Sequence, residues 1–204
     1  MSKGLTREKI VSAAIEIMRR NGFESFSLRV LAESLEVKAA SLYKHFENMD
    51  ELILAVSLKV YEEFDEQQRE TVSKAKTRQE AMLALAMAYK EFAHTHPSFY
   101  HLLLVLPRME QQELERVTAI IYAPIMGAIN MYQLDDETKV HWTHIYFATV
   151  VGFMVVKGTG LSGCSLVNTS NSFRLAIRNI ISALESLERE QLARANYLRD
   201  ERVN

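Results

Sequence analysis

Only one cysteine, three prolines and seven glycines occur among 204 residues. A lone thiol, Cys164, closes no internal disulfide and excludes zinc sites built on cysteine clusters. It also suits a reducing compartment, the cytoplasm. With so few helix breakers, long uninterrupted helices are expected. The longest apolar run, Ile145 to Val156, falls well short of the ~20 residues needed to cross a bilayer, so no membrane span is expected. The first residues, MSKGLTREKI, lack the apolar segment of a signal peptide. Charge of one sign is missing too: 24 Lys and Arg face 26 Asp and Glu, a net of -2. That excludes a surface basic all over, though not a local basic face. Residues 1–50 hold eight basic and seven acidic side chains, so a formal +1 sits there and -3 in the remainder.

What is present is helical periodicity. Ile10, Ala13, Ala14, Ile17 and Met18 follow i, i+3, i+4, i+7, i+8 spacing behind Thr6, an N-cap candidate, and Asn21-Gly22 supplies the stop. Ser27 caps a second helix with inner face Leu28, Leu31, Ala32 and Leu35, and Glu36-Val37 makes a turn. A third helix, about Lys38 to His45, buries only Leu42, Phe46 and the small Ala39. Asn48 caps a long fourth helix carrying Leu52, Ala55, Val56, Lys59 and Val60, with a polar linker expected over residues 67–76. Thr77 opens the next helix, through Met82, Leu85, Ala86, Tyr89 and Phe92, to His96-Pro97. A short apolar helix over 99–106, a helix over 110–131 containing Pro124, a helix over 137–157 behind Asp135, a glycine-rich loop over 158–163 and a helix over 173–187 complete the chain. A charged tail expected to fray follows. The fold class is all-α, with a division near residue 50 into segments 1–50 and 51–204.

The second and third helices read as a helix-turn-helix, whose second member enters the DNA major groove. Such a helix needs one face to dock and another to donate to phosphates and base edges. Leu42 and Phe46 serve the first need. Lys38, Ser41, Tyr43, Lys44 and His45 serve the second, while Ala39 and Ala40 permit close approach and methyl contact with thymine. The competing reading is a short surface helix with solvated polar residues.

Helix one ending in Asn21-Gly22-Phe23, the stretch SLRVLAESLEV and the stretch ASLYKHFENMDEL resemble the DNA-binding domain of the TetR/AcrR family of bacterial transcriptional regulators. The likeness covers roughly residues 6–55, and its sharpest mark is Leu42-Tyr43-Lys44-His45-Phe46. It implies a three-helix DNA-binding domain followed by a larger helical domain for ligand binding and dimerisation. It further implies a homodimer on a palindromic double-stranded operator, released by a small-molecule effector. Carried over residue by residue, Tyr43 and Lys44 match positions that hold phosphates or base edges, Ser41 matches a backbone-touching hydroxyl, and Ser27 and Arg29 lie where the second helix begins. Two positions depart: Glu36 stands where the family often has glycine, and Met49 where it often has lysine.

Past residue 60 the likeness fades. The nearly all-round apolar helix over 137–157 asks for cover on several sides. A two-fold partner through that helix and the last one is the simplest source, the alternative being an ordinary monomer core. Tyr89, Phe92, Phe99, Tyr100, Leu103, Tyr122, Met126, Tyr146 and Phe147 sit at spacings that either line a cavity for an apolar or aromatic effector or form plain core. His141 with His144, and His94, His96 and His101, lack the acidic or thiol partners of a metal set, so no metal or cofactor is expected. There is no phosphate-binding glycine motif after a strand and no G-x-S-x-G, so an enzyme is not expected. The rival to DNA binding is a helical protein-protein interaction module.

Overall fold

The computed structural model describes residues 4–96, 110–158 and 169–201, and over these the chain is helical without strands. Helix α1 spans Arg7–Asn21. The Thr6 hydroxyl accepts from the Lys9 N–H at 3.3 Å, and Gly22, at φ 79°, ends the helix in a backbone region that other residues avoid. A 3-10 turn, Phe23–Ser25, leads to α2, Leu28–Ser34, where the Ser27 hydroxyl accepts from Val30 N–H. Next come α3, Ala39–Leu42, and α4, Met49–Ser73. The chain continues through α5, Arg78–Thr95; α6, Gln111–Ile129, with Pro124 inside it; α7, Asp136–Gly158; and α8, Thr169–Glu201. The expected helix over 99–106 and most of the expected glycine-rich loop lie outside the described residues.

Three boundaries differ from the periodicity reading. The third helix is a single α turn: Leu42 O accepts from both His45 N–H and Phe46 N–H, and Tyr43 to His45 form turns. The polar linker expected from Gln67 is helix as far as Ser73. Thr71 Oγ1 donates to Gln67 O and Lys74 pairs with Glu70 at 2.6 Å, so local polar pairs carry the helix where apolar period gives out. The last helix begins at Thr169 and runs to Glu201, and its supposedly fraying charged start, Glu188, is buried.

The chain forms two compact units: Met1–Glu66 with Glu91–Ile120, and Gln67–Lys90 with Ile121–Asn204. In the first, α1 packs on α2 and α2 on α3. Ile10, Val11, Ala14, Ile15, Ile17, Met18, Leu31, Ala32, Leu42 and Phe46 are its N-terminal core, continued by Leu52, Val56, Val60, Tyr61 and Phe64 of α4. In the second, α7 and α8 pack on each other. Glu188 of α8 takes Arg78 at 2.6 Å and the Gln133 N–H at 2.6 Å, and Arg78 also lies 4.2 Å over the Tyr132 ring. This partly buried pairing anchors the last helix at Glu188, beyond which its side chains are mostly exposed.

Candidate nucleic-acid interface

Helix α3 is held from inside by Leu42, 1% exposed, and Phe46, 3% exposed. Each buried side chain of this size contributes roughly 1.5–3 kcal/mol. Its outer side carries Lys38, Ala39, Ala40, Tyr43 and Lys44, all exposed, with Ser41 and His45 half-buried. The Tyr43 ring is 56% exposed, far beyond what a packing tyrosine would show. On α2, Arg29 is exposed, reaching Glu33 at 3.8 Å, and Ser27 keeps its hydroxyl proton free to donate while its oxygen caps the helix. The structure thus collects Lys38, Ala39, Ser41, Tyr43, Lys44 and His45 on one short element, with Ser27 and Arg29 on the preceding helix. The chemistry is ammonium, phenol, hydroxyl and methyl on a rigid support, the set that fits phosphates and base edges.

The turn before α3 sits where the sequence departs from glycine. Glu36 adopts φ 54°, the one positive φ at a non-glycine position among the described residues. Val37 N–H bonds to Ala32 O and Glu36 N–H to Glu33 O, a Schellman ending for α2 whose left-handed residue is Glu36.

Arg7 escapes sequence reasoning. Its guanidinium lies 4.3 Å over the Phe46 ring, donates to His45 O at 3.0 Å and pairs with Glu51 Oε1 at 2.7 Å. Glu51 Oε2 accepts from Glu47 N–H at 2.6 Å, and Asn48 Oδ1 accepts from Glu51 N–H at 2.9 Å. That backbone bond, then Arg7, holds the Glu51 carboxyl below the usual carboxylate range. The first turn of α1 therefore clamps the exit of α3 and the start of α4. Asn48-x-x-Glu51 has capping-box spacing and points to half of this cluster. Nothing local points to Arg7, 38 residues away from His45.

A second link joins α1 to the end of α5. Arg19 Nη2 meets His96 Nε2 at 2.8 Å, and His96 stacks on Phe92 at 4.1 Å with Nδ1 3.2 Å from Phe92 O. A proton on Nδ1 donated to that carbonyl leaves Nε2 to accept from Arg19. Burial, then the Arg19 charge, lowers the imidazole pKa.

Of the residues read as an effector pocket, Phe99, Tyr100 and Leu103 lie outside the described residues. Phe92 belongs to the first unit and packs against Phe64, the two rings tilted by 32° with centroids 4.3 Å apart. The second unit brings the others together in part: Phe147 is 4.9 Å from Tyr122 and 6.3 Å from Tyr89, and Tyr122 meets His144 edge-on at 5.3 Å. Met126 Sδ receives the Thr143 hydroxyl at 3.5 Å. Tyr89 and Tyr146 are fully buried with their hydroxyls donated to Ile121 O and Met82 O. No group of three or more metal-ligating side chains exists among the described residues.

A polar one-turn helix exposed on a small three-helix scaffold, followed by a larger helical unit, describes a helix-turn-helix transcriptional regulator. Residues 10–56 match the family described as "Bacterial regulatory proteins, tetR family", and residues 82–180 match "Tetracyclin repressor-like, C-terminal domain". The chain belongs to the TetR family, whose members regulate transcription by binding DNA and are not enzymes. It is 29% identical over 158 residues to the HTH-type transcriptional regulator Rv0681 of Mycobacterium tuberculosis, covering 77% of this chain and 72% of that one. Its fold is that of ActR of Streptomyces coelicolor in complex with (S)-DNPA, with TM-score 0.64, 18% identity and coverage of 89% and 97%. BioQ with its natural double-stranded DNA operator shares it too, with TM-score 0.63, 21% identity and coverage of 89% and 98%. No described helix is long and apolar enough to cross a membrane.

Proposed function

We propose that this regulator is a cytoplasmic, homodimeric repressor released from a palindromic operator by a small, largely apolar or aromatic effector. Each subunit inserts Lys38 to His45 into a major groove, and Ser27, Arg29 and Lys44 hold phosphates on either side. Two-fold symmetry sets half-sites about one helical turn apart, ~34 Å, or a multiple of it. The observation that carries the reading is the exposure of Tyr43 and Lys44 directly outside the buried pair Leu42 and Phe46. BioQ with its operator and ActR with its ligand support the two halves of the function.

Exposed apolar side chains favour the dimer. Val140, Ile145 and Val156 on α7, and Leu175, Leu192, Tyr197 and Leu198 on α8, are open to solvent in one chain. A second copy of the same two helices would cover them isologously. The effector would lie in the C-terminal unit against residues such as Tyr122, Met126 and Phe147, and would favour a dimer geometry in which the recognition helices no longer match the half-site spacing. Such release needs different affinities for the two geometries. A mobility-shift assay on DNA flanking the protein's own gene tests the reading. A discrete, salt-sensitive shift is expected, and failure to bind at low salt would favour a protein-protein interaction module instead.

A further inference from the structure

Four polar or charged residues are buried among the described residues: Ser57, Gln68, Thr143 and Glu188. Three are satisfied. Ser57 donates to Ile53 O at 2.8 Å, Thr143 to Lys139 O at 2.8 Å, and Glu188 holds Arg78 and the Gln133 N–H. Gln68 is different: it is 0% exposed, and neither Oε1 nor Nε2 has a hydrogen-bond partner among the described residues. It lies on α4, within the second compact unit.

A buried carboxamide whose acceptor and both donors find no partner in the protein opposes folding, because its bonds to bulk water are lost without a protein group in exchange. Methionine or leucine would fill the same helical position without that cost. A core selected for stability alone has no use for glutamine there, so the group fits a partner that is not part of the chain. Glutamine presents a donor and an acceptor side by side in one plane. Its complement is a planar group that accepts and donates in the same way: a carboxamide, a lactam or a protonated carboxylic acid. The unit that holds it also carries the aromatic cluster Tyr89, Tyr122 and Phe147.

We infer that Gln68 reads the polar edge of the effector, and that this effector joins a carboxamide-like group to an apolar or aromatic body. The inference rests on the effector-binding reading above and adds the chemical class. A site that pairs a buried carboxamide rejects ligands lacking the matching group, since they leave it unpaired.

The test compares wild type with Gln68→Met and Gln68→Leu by thermal melting and ligand-observed NMR. The probes are naphthalene carboxamide and its shape-matched apolar counterpart, isopropenylnaphthalene. Wild type should prefer the carboxamide by about tenfold, and both variants should lose that preference. The variants should also melt a few degrees higher, by roughly 3 °C or more, as an unpaired buried group is removed. Lower melting of both variants would mean that Gln68 is already paired within the protein, and would overturn the inference. Equal affinity of wild type for the two probes would leave effector binding standing and overturn the role of Gln68 alone. Failure of either probe to bind any of the proteins would count against the effector reading and take this inference with it.

Discussion

Glu36 is the residue where conformation and side chain disagree most plainly. Its φ of 54° costs an L-residue roughly 1–2 kcal/mol that glycine escapes. Glu36→Gly should therefore raise stability by about 1 kcal/mol in urea melts, less whatever the added freedom of the unfolded chain takes back. A loss would show that the Glu36 side chain contributes something the backbone argument omits. Leu42 makes the opposite case. It is essentially fully buried, and Leu42→Ala should cost ~2–5 kcal/mol, since the transfer and cavity terms add. Melting like wild type would mean that α3 does not dock through this residue. Both outcomes concern one side chain, and neither requires DNA.

At the scale of elements, α3 depends on its neighbours because a single helical turn cannot hold itself. The Arg7 clamp combines a ring contact, a bond to His45 O and an ion pair with Glu51. Arg7→Ala should leave overall helicity unchanged while weakening DNA binding about tenfold through loss of order in α3. Circular dichroism and fluorescence anisotropy on the same samples separate the two effects, and unchanged affinity would release Arg7 from this positioning role. The Arg19–His96 link gives a pH dependence. His96 is depressed in the folded state, so above the ordinary imidazole pKa of about 6.5 it is neutral in both states and stability is flat. As pH falls below that value the unfolded chain takes a proton that the folded chain refuses, and stability drops until pH passes the folded value. The melting temperature of wild type should fall more steeply than that of His96→Gln between about pH 7 and pH 5. Parallel profiles would mean that the imidazole is not held neutral.

Element boundaries were legible where the chain states them locally. Thr6, Ser27, Thr77 and Asp135 all accept a bond from the N–H three residues on, and each stands before an apolar period. Boundaries are not written locally where polar pairing accompanies the helix end, as at Glu70 with Lys74, or where a distant partner does, as at Glu188 with Arg78. The exposed side of α3 was legible because a helix with only two apolar anchors, Leu42 and Phe46, leaves its other residues outside the core. Its observed length, one turn closed by bonds to Leu42 O with Arg7 on His45 O, could not be read from the stretch itself.

At the scale of the whole molecule, α4 is continuous from Met49 to Ser73 and contributes residues to both compact units. In the proposed complex Tyr43 and Lys44 face DNA. Fluorescence anisotropy with operator DNA, taken across a salt series, measures this for wild type, Tyr43→Ala and Lys44→Ala. Lys44→Ala should weaken binding and lower the slope of log affinity against log salt by about one, the signature of one lost phosphate contact. Tyr43→Ala should weaken binding with the melting temperature preserved, as its ring is exposed. Unchanged affinity and slope in both variants would place this face away from DNA.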